Sequence, residues 1–205
     1  LNRKAKRVLL QFPEGLKSHT LEVTRAIGKK VDVEIMVSGD PCYGSCDLPL
    51  GQAVTLGVDL IIHYGHSQMP SLAAPGVLYV EAQADIDIED TVSKALSLLE
   101  GKTCIGLAST VQHVSQLPIA EKLLVRSGKK VLIGQPGKRT IHAGQVLGCD
   151  YSSAVSVEKE VEAFLFIGGG LFHPLGLSLA TGKEVVTADP YTGRVSKITE
   201  RDWMQ

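Results

Sequence analysis

The four cysteines of this 205-residue chain are the side chains best suited to metal or redox chemistry. Three residues separate Cys42 from Cys46, Cys149 lies in a glycine-containing stretch, and Cys104 lies in an apolar run typical of a buried side chain. No C-x2-C or H-x3-H pair is present, so the spacing disfavours zinc. The spacing leaves open an iron–sulfur cluster whose cysteine ligands come from distant parts of the chain.

The spacing of Cys42 and Cys46 matches only the opening of the C-x3-C-x2-C motif of ordinary radical S-adenosylmethionine (SAM) enzymes, because Pro49 occupies the third position. Among the histidines, His63 ends an apolar run, which is typical of a buried core residue. His19 and His113 fall in helical segments, where we expect solvated or capping side chains.

The elements that would position these residues follow a repeated pattern. Short apolar or β-branched runs occur in the same order in each half of the chain, with offsets that drift steadily from 96 to 107 residues. The pattern predicts two homologous halves with four strands each. The predicted strands are 8–11, 31–37, 60–63 and 77–80 in the first half, and 104–107, 131–133, 164–167 and 184–187 in the second.

Amphipathic stretches connect these strands. Apolar residues recur at helical spacing over residues 16–27, 88–99 and 117–124, and a glycine closes each run. Strands that alternate with helices predict an α/β fold, here tandem homologous small domains that are each a parallel sheet flanked by helices. We place the two domains at residues 1–101 and 102–205.

The repeat also places cysteine and histidine residues after equivalent strands in the two halves. Cys46 and Cys149 both follow the second strand of their half, His66 and His173 lie in the loops after the third, and Asp189 follows the fourth. Open α/β sheets bind ligands at the carboxyl ends of their strands. We therefore interpret these loops as contributions from two domains to one shared site.

Charge and composition argue against several classes of protein. The net charge of −1, from 21 basic and 22 acidic residues, argues against a nucleic-acid partner. The uncharged run 163–180 contains glycine, proline and histidine, which argues against a membrane helix and a membrane partner. No signal peptide is recognisable and four cysteines make no disulfide framework at this length. We therefore expect a cytoplasmic protein.

Six motifs together resemble one known family, the archaeal diphthamide synthase radical-SAM subunit. They occur in the right order over essentially the whole chain: QFPEGL at 11–16, GDPCYGSCD at 39–47, HYGHS at 63–67, GQVLGC at 144–149, FHP at 172–174 and ADPY at 188–191. The resemblance implies three homologous α/β domains, each giving one cysteine to a single 4Fe-4S cluster, and a homodimer.

The resemblance also implies an activity. Members of the family transfer the 3-amino-3-carboxypropyl group of SAM to the imidazole C2 carbon of a histidine in translation elongation factor 2. This is the first step of diphthamide biosynthesis and releases 5′-methylthioadenosine. An electron donor must reduce the cluster, and the reduced cluster breaks a carbon–sulfur bond of SAM.

Carried over by motif, Cys46 and Cys149 are two cluster ligands and Cys42 is a neighbour of the site. The third cysteine would lie in a further downstream domain, which we expect this chain to lack. A third ligand from Cys42, or loss of the cluster in this chain, stays open. The candidate residues for SAM are Gln145, Gly168, Gly169, Gly170, His173, Asp189 and His66.

Three other functions remain alternatives. Quinolinate synthase is a second candidate family, because it also has three domains that share one 4Fe-4S cluster held by three cysteines. Its motifs do not match those given above. A non-catalytic partner subunit would only hold the cluster, relay electrons or act as a scaffold. A nucleotide-sugar-binding α/β protein would bind no iron at all.

Overall fold

The computed structural model describes residues 5–72, 74–199 and 202. Contacts along the chain divide it into two compact units, Leu1–Ala82 and Gln83–Gln205. Each unit contains its own sheet with helices packed against it, which confirms the predicted α/β fold class.

The first unit contains a four-stranded parallel sheet with strand order β2-β1-β3-β4. The central strands are apolar on both faces, because helices cover the sheet from both sides. Its strands are β1 (Arg7–Gln11), β2 (Glu34–Val37), β3 (Leu60–Tyr64) and β4 (Val77–Val80).

Among the described residues of the first unit, two helices cover this sheet. A 3-10 turn, Glu14–His19, leads into α1 (Thr20–Gly28), whose Ile27 packs on the sheet face that contains Leu10. The short helix α2 (Leu50–Thr55) lies on the opposite face, and a further 3-10 turn spans Pro70–Leu72. The predicted helix over 16–27 is therefore present, with its first part wound more tightly.

The second unit repeats this sheet and adds an edge strand. The strand order is β6-β5-β7-β8-β9, and β9 is antiparallel to β8. The sequence pattern did not predict β9. This strand has only four residues, most of them exposed, and it follows β8 after a tight turn. The strands are β5 (Cys104–Ser109), β6 (Lys130–Ile133), β7 (Ala163–Ile167), β8 (Glu184–Asp189) and β9 (Arg194–Lys197).

Helices cover both faces of the second sheet. One face is covered by α3 (Glu89–Ala95), which continues as the 3-10 turn Leu96–Leu99, and by α4 (Leu117–Arg126) after the 3-10 turn Val114–Gln116. The other face is covered by α5 (Ser152–Val155) and α6 (Phe172–Thr181). Within the described part of the chain, no helix combines the length and apolar character needed to span a membrane.

The helix that precedes β5 belongs to the second unit. Ile88, Val92 and Leu99 are buried against the sheet residues Ile105 and Leu107. The contact boundary therefore falls between Ala82 and Gln83 and not at Gly101, where the sequence placed it. Periodicity identified this helix, but periodicity does not show which sheet an apolar helix face covers.

Candidate functional site

In the first unit, candidate site residues meet where β1 and β3 end. Gln11 and His63 are register partners in these adjacent parallel strands. The chain leaves β1 toward β2 on one side and later returns to β3 on the other, so this is the point where open α/β sheets form a ligand crevice. The loop after β2 supplies Cys42 and Cys46, and the loop after β3 supplies His66.

A chain of hydrogen bonds links these loops. Gln11 Nε2 donates to the carbonyl of Asp47 at 2.6 Å, so Gln11 Oε1 accepts from His63 Nδ1 at 2.7 Å. His63 Nε2 then presents a lone pair to the N–H of His66 Nδ1, 2.9 Å away. These hydrogen bonds fix the tautomers of the neutral imidazoles of His63 and His66 and leave a lone pair on His66 Nε2.

Burial keeps these side chains uncharged. Desolvation lowers the pKa of His63 to about 4, with the neighbouring His66 as a lesser cause, and desolvation also lowers the pKa of His66. Cys42 is 4% exposed, and burial raises the pKa of its thiol. Neutral imidazole is the form that binds metals, whereas a buried thiol becomes a thiolate only beside a cation.

Cys42, His63 and His66 form a cluster that the sequence analysis did not predict. One potential ligand atom from each lies within 4.8 Å of the other two. The sequence analysis disfavoured zinc, placed His63 in the core and treated Cys42 as a neighbour of the site. His63 is fully buried as expected, yet its Nε2 faces the loop that contains His66. The signal missed was the H-x2-H spacing of the two histidines at the end of a strand.

Cys46 differs from Cys42 in its environment. Cys46 is exposed and lies in a tight turn formed with Gly44 and Ser45. The hydroxyl of Tyr79 on β4 donates to the carbonyl of Ser45 at 3.1 Å. Burial, and secondarily the charge of Cys46, raises the pKa of Tyr79. The turn therefore presents an accessible thiol beside a phenol that stays protonated.

The second unit presents Cys149 in a comparable way. Cys149 is exposed within a turn closed by hydrogen bonds between Leu147 and Asp150. Arg139 Nη1 donates to the carbonyl of Cys149 at 3.4 Å. Burial, and secondarily the charge of Cys149, raises the pKa of Tyr151. An exposed thiol beside a partly buried tyrosine is therefore a feature of both units.

The glycine run after β7 lies next to two polar side chains. A Cβ atom on Gly169 would lie 3.4 Å from the ring of Tyr191 and 3.6 Å from Asp189 Oδ1. Asp189 Oδ1 accepts from the amides of Tyr191 and Thr192, at 2.9 and 3.3 Å. Gly168 has φ of 146° and Gly170 has φ of 77°, conformations that favour glycine. The second unit thus brings Gly168, Gly169, Gly170 and Asp189 to one edge.

Gln145 and His173 have structural contacts that the sequence did not predict. Gln145 is fully buried, and its Oε1 accepts from the amides of Ile141 and His142, both at 3.2 Å. His173 was expected in a loop, but it lies in the first turn of α6 because the helix begins directly after the glycine run. The ring of His173 stacks on Phe166, with centroids 6.3 Å apart, and burial lowers the pKa of His173.

His113 is a further residue that the sequence analysis misplaced. It was expected to be solvated or capping, but it is 1% exposed. Its Nδ1 lies 2.7 Å from Gln116 Oε1, its ring meets that of Tyr191 edge-on at 5.4 Å, and its Nε2 has no partner among the described residues. A Cβ atom on Gly168 would lie 3.7 Å from the His113 ring. His113 therefore joins the glycine run as a candidate ligand-binding residue. His19, by contrast, is solvated as expected.

These features define a class of protein: tandem α/β units that each display an exposed cysteine at the ligand-binding edge of a parallel sheet. The particular family follows from comparison with known sequences. The family model described as "Putative diphthamide synthesis protein" matches residues 12–203. The chain belongs to this diphthamide synthesis family.

Individual relatives agree with that assignment. The 2-(3-amino-3-carboxypropyl)histidine synthase of Pyrococcus horikoshii is 38% identical over 196 residues, which is 95% of this chain and 56% of that protein. Subunit 1 of the human synthase is 31% identical over 199 residues, or 95% of this chain and 44% of the relative. The chain thus spans about half the length of the curated relatives it matches.

A solved structure is also similar. The crystal structure of Dph2 from Pyrococcus horikoshii with a 4Fe-4S cluster superposes with a TM-score of 0.87 at 36% sequence identity. The match covers 98% of this chain and 59% of that chain. Both described units are therefore built like part of a protein that binds an iron–sulfur cluster.

Proposed function

We propose that this chain acts in 2-(3-amino-3-carboxypropyl)histidine synthesis. It would take part in the transfer of the 3-amino-3-carboxypropyl group of SAM to a histidine of translation elongation factor 2. The observation that carries the proposal is the pair of exposed cysteines at equivalent sheet edges in a member of the diphthamide synthesis family. The names of the relatives and the cluster in the similar structure support it.

Cys46 and Cys149 are the proposed cluster ligands. Iron–sulfur clusters need thiolates that the metal can reach, and both thiols are exposed in turns whose backbone carbonyls accept hydrogen bonds from Tyr79 and Arg139. Cys104 does not fit, because it is buried within β5. Cys42 is buried in a cluster with two histidines. We therefore assign the third thiolate of the iron–sulfur cluster to neither Cys42 nor Cys104.

SAM would lie at the glycine-rich edge of the second unit. Gly169 and Gly170 are exposed, so a ligand can approach the backbone closely, and Asp189 offers a carboxylate to hydroxyl or ammonium groups. A cluster held by Cys46, Cys149 and a third thiolate would supply one electron to the sulfonium of SAM. The protein's part is to fix which carbon of SAM faces the iron, because that geometry selects the bond that breaks.

The remaining partners follow from this function. Elongation factor 2 is the protein substrate and an electron donor must reduce the cluster. We further propose a homodimer and a cytoplasmic location. The candidate SAM residues Gln145, His173 and His66 stay part of the proposal, with Gln145 acting through the loop that its side chain holds.

The test is cluster assembly together with product formation. The form of the protein that carries the third cysteine implied by the family resemblance is purified without oxygen and supplied with iron and sulfide, and its visible spectrum, iron and labile sulfide are measured. Dithionite, SAM and elongation factor 2 are then added, and 5′-methylthioadenosine and the modified histidine are measured. We expect both products from the wild type and neither from Cys46→Ser.

Cys104→Ser is the matched control, because its thiol is buried in the second sheet. It should retain iron and product formation if it folds, as judged by circular dichroism. A wild-type protein that binds a cluster but forms no product would support a scaffold or electron-relay subunit. A protein without iron or sulfide after reconstitution would contradict the proposal.

A further inference from the structure

We propose that Cys42, His63 and His66 form a mononuclear binding site for a divalent metal ion of the zinc class. Cys46 is not a ligand of this proposed site, although its thiol acts electrostatically on that of Cys42, and the proposal goes beyond the proposed transferase function. One thiolate and two imidazoles form a borderline-soft donor set, which suits Zn²⁺. Three protein ligands would leave a fourth position for water or another ligand.

The spacing of the three side chains fits such an ion. With metal–nitrogen distances of about 2.0–2.1 Å and a metal–sulfur distance of about 2.3 Å, the ligand atoms of a tetrahedral site lie roughly 3.3–3.6 Å apart. His63 Nε2 and His66 Nδ1 are 2.9 Å apart, and one potential ligand atom from each of the three residues lies within 4.8 Å of the other two. Shifts of about an ångström would complete the site.

Gln11 already orients His63 as a metal ligand. Metal-bound histidines almost always donate their second ring N–H to a protein acceptor, which fixes the tautomer. His63 Nδ1 makes this bond to Gln11 Oε1, and Gln11 is held in turn by the carbonyl of Asp47. The lone pair of His63 Nε2 is thereby directed toward His66. The outer contact that a metal-bound His63 needs is therefore present in the described structure.

Proton accounting for binding is simple. In the metal-free chain, the proton on His66 Nδ1 lies between the two imidazoles. On binding, this proton moves to His66 Nε2, so both facing nitrogens offer lone pairs to the ion. The thiol of Cys42 releases one proton to solvent and becomes a thiolate ligand. No electron is transferred.

Charge around the cluster also favours a cation. The carboxylate of Asp47 acts electrostatically on both His63 and His66 in the direction that favours positive charge. His63 is fully buried and Cys42 nearly so, so the attraction operates in a poorly solvated environment. A divalent ion would supply the positive charge that neutral imidazoles there lack.

Cobalt and zinc binding to the protein test this proposal directly. Co²⁺ is titrated without oxygen into the cluster-free protein, because a thiolate–cobalt charge-transfer band and tetrahedral d–d bands report the donor set. Zinc content after dialysis is measured separately from iron and sulfide. We expect one equivalent of metal in the wild type, loss of the charge-transfer band in Cys42→Ser, and loss of stoichiometric binding in His66→Gln.

Further variants separate this site from the iron–sulfur cluster. Cys46→Ser should lose cluster iron and sulfide but keep one equivalent of cobalt or zinc. Gln11→Leu should weaken metal binding by roughly 10- to 100-fold, as loss of an outer contact does elsewhere. Cys104→Ser, with a buried thiol far along the chain, should bind like the wild type.

Three results would overturn the proposal. They are absence of stoichiometric metal in a folded wild type, unchanged spectra in Cys42→Ser, and loss of the metal in Cys46→Ser. The last result would assign the ion to the exposed thiol. Because the cluster is measured by iron and sulfide, failure of the metal site and failure of the transferase function give different outcomes.

Discussion

Asp59 and Glu162 occupy equivalent positions in the two units. Each precedes the third strand of its unit, and each carboxylate accepts hydrogen bonds from two successive backbone amides at the start of the first strand. For Asp59 the donors are residues 6–7, both at 2.8 Å, and for Glu162 they are residues 103–104. The duplicated sheets are therefore clamped at their amino-terminal edge, opposite the candidate site.

These clamps predict an acid-dependent loss of stability. Backbone hydrogen bonds lower the pKa of Asp59 from 3.8 and that of Glu162 from 4.5. Because the folded pKa lies below the unfolded one, the contribution is complete above the unfolded value and disappears as pH falls through the folded value. We expect Glu162→Gln to be less stable than the wild type at pH 7 and the difference to shrink as the pH falls below 4.5 and through the lowered folded pKa of Glu162.

Urea unfolding followed by circular dichroism at several pH values measures this effect. Asp32→Asn is the control, because Asp32 is exposed in the first unit. A difference between Glu162→Gln and the wild type that stays constant down to the acid limit would contradict the clamp.

The buried Gln11 should matter for the stability of the first unit. Gln11→Leu leaves the N–H of His63 without its acceptor in a fully buried position. We expect a loss of about 1–3 kcal/mol in the free energy of unfolding of the metal-free protein. Gln83→Leu, at an exposed position, should change it little. Chemical denaturation compares the two, and equal effects would argue against the hydrogen-bond chain.

Alanine substitutions at Gly168 and Gly169 should distinguish the need for a positive φ from the need for space beside the backbone. Gly168 has φ of 146°, whereas Gly169 does not adopt a positive φ and has room for a Cβ atom. We expect Gly168→Ala to cost of order 1–3 kcal/mol in stability and to weaken SAM binding, because the strand-end backbone must shift. Gly169→Ala should be milder on stability. Thermal unfolding and calorimetric SAM titration check both, and the reverse order would refute the assignment.

Cys149 and Cys104 should differ in what their loss removes. In a protein that also carries the third cluster cysteine, Cys149→Ala is expected to abolish cluster assembly while the fold is kept, because the thiol is exposed. Cys104→Ala should cost only about 1–2 kcal/mol of stability, since it removes a small buried group. Iron and sulfide content of the reconstituted proteins is measured beside their denaturation curves. Equal iron content in both variants would defeat the ligand assignment.

All eight predicted strands are present in the fold, and burial explains the clear sequence pattern of the central ones. Strands of a parallel sheet covered on both faces read as short continuous apolar runs, as residues 163–167 do. The edge strand β9 has only one neighbour and an exposed, polar sequence, so it left no such pattern. The helices α2, α5 and α6 are short or start directly after glycine-rich loops, which hides their periodicity.

The sequence by itself determined the duplicated α/β fold, the family and the exposed Cys46 and Cys149 loops, because these depend on local pattern and on motifs contiguous along the chain. Only the tertiary structure decided that α3 covers the second sheet and that Cys42, His63 and His66 converge. Strand register places Gln11 beside His63 although 52 residues separate them. Such pairings depend on how distant strands align and which faces they bury, which no local spacing encodes.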